Sequence, residues 1–184
     1  MTREMPKDGK LSLDMMYQTC GTQMNLDYIS EKDFIKKFKL SSFLVPISTA
    51  IFANSPIIEN SLSGYLSYRS KVWQNTSRAG LPKSFLEDMD FEKYTDFVIN
   101  MPLLFVLKNS QYLNAEGKKF KDFMDGKLSI LKNIKPNIVD FKNHLATVFT
   151  EIRLKKYIEI RSLDTCEWDC HCGGPAFYVG LLYG

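Results

Sequence analysis

Between Glu151 and Arg161 the chain alternates. Ile152, Leu154, Ile158 and Ile160 point one way, and Glu151, Arg153, Lys155, Tyr157, Glu159 and Arg161 point the other. A period of two is the signature of a strand buried on one face only. The fold must therefore supply a layer to cover the isoleucines and leave a polar face for something else. Glu159 and Arg161 sit two apart, so both leave that polar face. A carboxylate beside a guanidinium suits a metal nucleotide, the first taking the cation and the second the phosphate oxygens. A solvated strand with cross-strand ion pairs is the alternative.

A second alternating stretch runs from Tyr17 to Tyr28. Thr19, Gln23, Asn25 and Asp27 share one face, and Cys20, Met24, Leu26 and Tyr28 the other. The first set is mostly uncharged amide and hydroxyl, which can coordinate a hard cation or a substrate as well as face water. If Gln23 and Glu159 project from neighbouring strands, two distant segments meet in one cavity.

The rest reads as helix and loop. Residues 1–14 form a lead-in loop. Ser30 is an N-cap, with Glu31 and Asp33 in the first turn of a helix carrying Phe34, Ile35 and Phe38. A second apolar stretch, Phe43 to Phe52, is helical around Pro46. Tyr65 to Gln74 forms a further helix on which Tyr65, Arg69 and Trp73 recur every four residues and share a face. An Arg one turn from an indole can clamp a carboxylate while the ring walls the pocket, or can simply stack at the surface. Phe91–Asn100, Lys118–Met124 and Ile138–Val148 are helical by pattern, and Leu103–Leu107 suits a buried strand. The last helix begins at Pro175 and is apolar nearly all round.

Several function classes are excluded. Lys+Arg number 24 and Asp+Glu 21, a net charge of +3 without a concentrated basic footprint, which argues against nucleic acid. Lys36, Lys37 and Lys39 read as the solvated face of a helix. No apolar run reaches the roughly 20 residues that cross a bilayer, and the polar start is no signal peptide. The reading is cytoplasmic, with Cys20, Cys166, Cys170 and Cys172 as reduced thiols. Cys166, Cys170, His171 and Cys172 could instead form a small zinc or thiol module, although adjacent ligands do not easily reach one ion. His144, among Phe141, Leu145 and Val148, reads as a core-edge or surface histidine. No glycine-rich phosphate loop or nucleophile elbow is present.

Taken in order, several segments resemble one family. They are Leu13-Asp14-Met15-Met16, Thr19-Cys20, Gln23-Met24-Asn25-Leu26-Asp27, Phe52-Ala53-Asn54-Ser55-Pro56 and Gly64-Tyr65-Leu66-Ser67-Tyr68-Arg69-Ser70 with Trp73. Asp122 to Leu128, Glu151 to Arg161 and Pro175 to Tyr183 follow. The set is similar to the glutamate–cysteine ligases of the plant and proteobacterial type. That resemblance implies ATP-dependent joining of the glutamate γ-carboxylate to cysteine through a γ-glutamyl phosphate, the first step of glutathione synthesis. It implies an α+β fold, a curved antiparallel sheet backed by helices, as a partial glutamine-synthetase-like ligase domain of about four or five strands. It implies ATP and Mg²⁺, with Glu159 and Gln23 as metal ligands and Asn25 and Arg161 on the nucleotide. Glu159 and Arg161 then carry the catalysis, while Arg69, Trp73 and Thr19 hold glutamate.

The departures from the family pattern matter too. Gln18-Thr19-Cys20-Gly21 replaces the usual Arg-Thr-Cys-Thr. Leu104 stands where a cysteine-lining Tyr is usual, and the loop after Trp73 is shorter. Residues 15–184 are expected to form one partial catalytic domain after the 1–14 lead-in, truncated at both ends relative to the family. Such a fragment would need a separately encoded N-terminal part. Otherwise it is a non-catalytic remnant binding glutamate or nucleotide weakly. No membrane or nucleic-acid partner is expected.

Overall fold

The computed structural model describes residues 2–184. The alternating segment is a hairpin, not one strand: β8 (Ile152–Leu154) turns through Lys155–Tyr157 into β9 (Ile158–Asp164). Leu154 pairs with Ile158, Arg153 with Glu159 and Ile152 with Ile160. The pairing is symmetric about residue 156, so odd and even residues keep their faces on both arms. No Gly or Pro marks this turn, so the sequence reads straight through it.

β1 (Gly21–Leu26) adds to the other side of β9, giving the antiparallel order β1-β9-β8. It is shorter than the alternation suggests and leaves Thr19 outside the strand. Asn25 lies opposite Glu159 and Met24 opposite Ile160. The register then shifts, so that Gln23 faces both Arg161 and Ser162. This β-bulge reverses the parity of β9 beyond it. Leu163 therefore joins the core, and Asp164 falls opposite Gly21 on the polar face.

α2 (Glu31–Ile51) covers the apolar face. Ser30 caps it by accepting from the Asp33 amide. One 21-residue helix replaces the two expected, with Pro46 inside it. Phe34, Phe38 and Val45 meet Met24, Leu26, Ile152, Ile158 and Ile160 in the main core. Each such side chain, fully buried, contributes about 1.5–3 kcal/mol. Lys37 departs from the solvated-face reading: it is buried, donates to Asp27 O and Asp33, and lies 3.9 Å from the Tyr183 ring centroid.

The lead-in is helical. A 3₁₀ turn at Met5–Asp8 precedes α1 (Ser12–Tyr17). Met5 is fully buried with Met15, Val72, Trp73 and Leu104 in a second cluster. The remaining antiparallel pairs are the hairpins β2 (Ile57–Ile58) with β3 (Ser61–Leu62), and β5 (Val106–Lys108) with β6 (Gln111–Leu113). β4 (Ala79–Gly80) pairs in parallel with β7 (Phe149–Thr150). Leu103 and Leu104 are buried, but in separate clusters rather than in a strand.

α3 (Tyr68–Gln74), α4 (Phe91–Ile99), α5 (Phe120–Met124) and α6 (Ile138–Leu145) complete the middle of the chain. α7 (Gly173–Tyr183) starts two residues before Pro175. It buries Gly174, Tyr178 and Leu182 but exposes Val179, Leu181 and Tyr183, so it is not enclosed all round. The architecture is α+β, an antiparallel sheet backed by helices, with three strands in the central sheet rather than four or five. No described helix is long and apolar enough to cross a membrane.

Candidate active site

The site is built on the polar face of β1 and β9. Asp164, at the end of β9, anchors the segment that carries Arg69. Its carboxylate accepts from the Asn54 amide at 2.8 Å, Ser55 Oγ at 2.7 Å and Ser67 Oγ at 2.9 Å. Ser67 in turn caps α3 by accepting from the Ser70 amide, and Ser55 Oγ accepts from the Arg69 amide. A framework of two serines and one aspartate thus fixes where α3 starts, and with it where Arg69 points.

Arg69 is 3% exposed. Its guanidinium lies 4.2 Å from the Trp73 ring centroid, so the one-turn spacing does place them together. Nη2 donates to the Arg161 carbonyl. Gly21 permits this crossing: a Cβ there would stand 2.6 Å from Arg69 Nε and 2.8 Å from Leu163 O. Tyr65 does not share the face. It precedes α3 and is half exposed.

Arg161 reaches the same ring, 5.3 Å from its centroid. Its Nη1 donates to Gln23 Oε1 at 3.0 Å and to Glu159 Oε2 at 3.0 Å. Gln23 and Glu159, 136 residues apart in sequence, therefore do meet on one face, bridged by a guanidinium. Arg153 donates to the same Glu159 oxygen through Nε at 2.6 Å, and Lys155 to Oε1 at 2.8 Å. Burial pushes the Glu159 carboxyl up, but Lys155, Arg153 and Arg161 outweigh it and leave it below the ordinary carboxylate range. Glu159 is an anchor for three cations rather than a free metal ligand, and Gln23 Oε1 is spent on Arg161.

These residues do not by themselves fit Mg²⁺, which takes exposed oxygen ligands in near-octahedral array. They do fit an anion. A cavity of about 260 Å³ is lined by Thr19, Gly21, Gln23, Arg69, Trp73 and Arg161 among others. On three of these lining residues, Arg69 Nη1, Arg161 Nε and Trp73 Nε1 are buried donors without a partner among the described residues. Buried donors are nearly always paired, so three orphans on residues lining one hollow give it a surplus of donors, which suits an anionic ligand.

The other candidates lie as follows. Thr19 lines the cavity, but its hydroxyl donates to Met15 O at 2.8 Å. Asn25 is exposed opposite Glu159, on the right face and outside the cavity lining. Leu104 is buried in the cluster that includes Trp73. His144 is 2% exposed, has Nε2 2.8 Å from Val98 O and stacks on Phe120. Burial lowers it to about 4, which suits a core histidine and not a general base. Cys166 Sγ and His171 Nδ1 are 3.4 Å apart, but among the described residues no trio of His, Cys, Asp or Glu is placed to hold a metal ion. All four cysteines are free.

Two residues went unread in the sequence. Asp164 follows the alternating segment and carries no local signal. Glu151 sits in that segment and looks like one more outward carboxylate, yet it is 4% exposed and its Oε2 has no partner. Burial pushes its carboxyl up to about 7, with Arg69 and Arg161 pulling down and Asp164 pushing up.

The family model for glutamate-cysteine ligase family 2 matches residues 1–184. The chain is 47% identical over its full length to the chloroplastic glutamate–cysteine ligase of Nicotiana tabacum, covering 36% of that protein. It is 48% identical to glutamate–cysteine ligase B, chloroplastic, of Oryza sativa subsp. japonica, covering 38%, and 45% identical to the chloroplastic ligase of Arabidopsis thaliana, covering 36%. It thus spans little more than a third of the length of these relatives. Because that match runs through every segment that builds the sheet and the arginine pair, the chain belongs to glutamate-cysteine ligase family 2.

Proposed function

We propose that this chain carries the glutamate-binding and phosphate-contacting part of an ATP-dependent glutamate–cysteine ligase. The observation that carries the reading is the trio of unpartnered donors on Arg69, Arg161 and Trp73, residues that line one small cavity. Arg69 clamps the α-carboxylate of glutamate and Trp73 walls it off. Arg161, held by Gln23 and Glu159, meets the oxygens of the transferring phosphoryl group. The γ-carboxylate oxygen attacks the terminal phosphorus of ATP and ADP leaves. The cysteine amine then attacks the acyl phosphate carbon, phosphate leaves and the amine loses a proton. Charge neutralisation and positioning carry both steps, so no covalent nucleophile is needed.

Glu159 and Gln23 act here by holding Arg161. Mg²⁺ accompanies ATP in this reading, and these residues as they stand do not supply its ligands. Thr19 and Asn25 are kept as flanking contacts to glutamate and nucleotide. The contacts that complete the enzyme come, in this reading, from the part of the relatives' length that this chain does not span. Four free thiols are compatible with any reducing compartment, and a cytoplasmic setting belongs to this reading. A fluorescent fusion tests that, and plastid fluorescence overturns it.

The chain is incubated with glutamate, cysteine and MgATP, alone and with the N-terminal part of a relative, and ADP is measured. Turnover that requires the added part and disappears in Arg161→Gln supports the reading. No turnover in either mixture, with glutamate binding abolished by Arg69→Gln, identifies a non-catalytic glutamate-binding remnant instead.

A further inference from the structure

A second cavity of about 570 Å³, open to solvent, lies between α2 and the segment that leads into α3. Its lining is largely apolar, with Val45, Pro46, Ala50 and Leu81, and Glu151 is part of it. Glu151 makes no side-chain hydrogen bond or ion pair among the described residues, and its Oε2 is sealed from solvent. An unpaired buried carboxylate is costly, and an unpaired buried guanidinium equally so. The two residues are neighbours through Arg161: Arg69 Nη2 donates to the Arg161 carbonyl, and the Arg161 amide donates to Glu151 O. The two charges compensate each other across a gap without forming a salt bridge.

The charged and titratable groups around Glu151 are few. From α3 come Arg69 and, lining the same cavity, Lys71, with Tyr65 just before the helix. β9 contributes Arg161 and Asp164, and α7 contributes Tyr178. The α2 wall offers only Val45, Pro46, Thr49, Ala50 and Ala53 just beyond it, none of which titrates. The field of Arg69 is therefore the chief influence that keeps Glu151 ionised.

We propose that Glu151 is a positioning residue that serves as the counter-charge of the Arg69 anion site, so that a carboxylate landing on Arg69 is taken up together with a proton on Glu151. A bound carboxylate cancels the guanidinium field. Glu151 is then left with the smaller influence of Arg161, and it takes a proton from solvent. The site changes from one buried ion pair to another without ever burying an uncompensated charge. By linkage, the same coupling makes glutamate bind more weakly as rising pH strips that proton. The inference rests on the proposed glutamate site.

Glutamate binding is measured by calorimetry in buffers of different ionisation enthalpy, from about pH 6 to about pH 8, which counts protons directly. Wild type is expected to take up a growing fraction of a proton and to lose affinity by up to about tenfold per pH unit above Glu151's titration. Glu151→Gln is expected to bind with neither proton uptake nor pH dependence, and Glu151→Asp to restore both. Binding by wild type without proton uptake overturns the inference and leaves the glutamate site standing. Absence of binding overturns the site itself. In that case the coupling is read without ligand, by carbon-13 NMR of the glutamate carboxyls with Glu151→Gln identifying the resonance. Arg69→Gln must then move the Glu151 titration upward, and an unmoved titration overturns the inference.

Discussion

Two buried arginines in this molecule have nearly the same exposure and opposite surroundings. Arg78 is 2% exposed and saturated. Its Nε donates to Asp8 at 2.7 Å, Nη1 to Thr147 O at 3.3 Å and Nη2 to Pro102 O at 2.9 Å. It ties the N-terminal turn to two distant loops. Arg69 is 3% exposed and under-used, with one carbonyl accepting from Nη2, an indole beneath it and Nη1 free. Exposure alone does not separate a structural cation from a binding one. The separation lies in whether its hydrogen bonds are already made within the protein.

The sharpest way to break this contrast is to remove each arginine. Arg78→Met strands Asp8 and is expected to cost about 3–5 kcal/mol in urea unfolding. Arg69→Met strands no carboxylate in a hydrogen bond. It is expected to change stability by under about 1 kcal/mol of either sign while abolishing glutamate binding. Equal losses from the two substitutions would end the distinction.

The next test sets Glu151 against His144, two buried titratable groups with opposite signs. Glu151 is raised from 4.5 to about 7, so it holds its proton better when folded. Its contribution is complete below about pH 4.5 and is lost as pH rises through about 7, on the order of 3 kcal/mol in all. His144 is lowered from 6.5 to about 4, so its contribution is present above about pH 6.5 and is lost as pH falls through about 4. The two slopes nearly cancel in wild type. Thermal unfolding of Glu151→Gln is expected to show stability rising from about pH 4 to about pH 6.5, with the opposing Glu151 slope gone. A flat profile in that variant would sink the assignment.

Gly21→Ala probes the hollow itself. The new methyl meets the Leu163 carbonyl at 2.8 Å and Arg69 Nε at 2.6 Å, so either β1 or the guanidinium must shift. The expected cost is about 1–3 kcal/mol, with weakened glutamate binding. The smallest effect belongs to Cys170→Ser. Cys170 is an exposed free thiol outside any metal cluster found among the described residues, and the change is expected to stay within about 0.5 kcal/mol by urea unfolding.

Much of the site could be read in advance, and the readable parts share a cause. Arg69 and Trp73 meet because they are one helical turn apart. Arg153, Glu159 and Arg161 share a face because strand parity survives the turn at Lys155–Tyr157. Ser30 was legible as a cap because capping is a contact three residues long. Where the reading erred, a longer reach was at work. The hairpin turn lacks Gly and Pro, and its tightness comes from the pairing of the two arms. The lead-in looked like loop because Met5 has no periodic partner nearby, and its burial is against Val72 and Trp73.

What the chain determines by its order of residues is periodicity: which side chains share a face, where a helix is capped, and that Glu159 and Arg161 stand side by side. What tertiary structure alone decided is solvation. Glu151 and Glu159 belong to the same alternating run. Glu159 met three cations, and Glu151 was buried with no cation in contact. The charge state of a carboxyl depends on the dielectric and the donors around it, and those come from helices and strands far away in the chain.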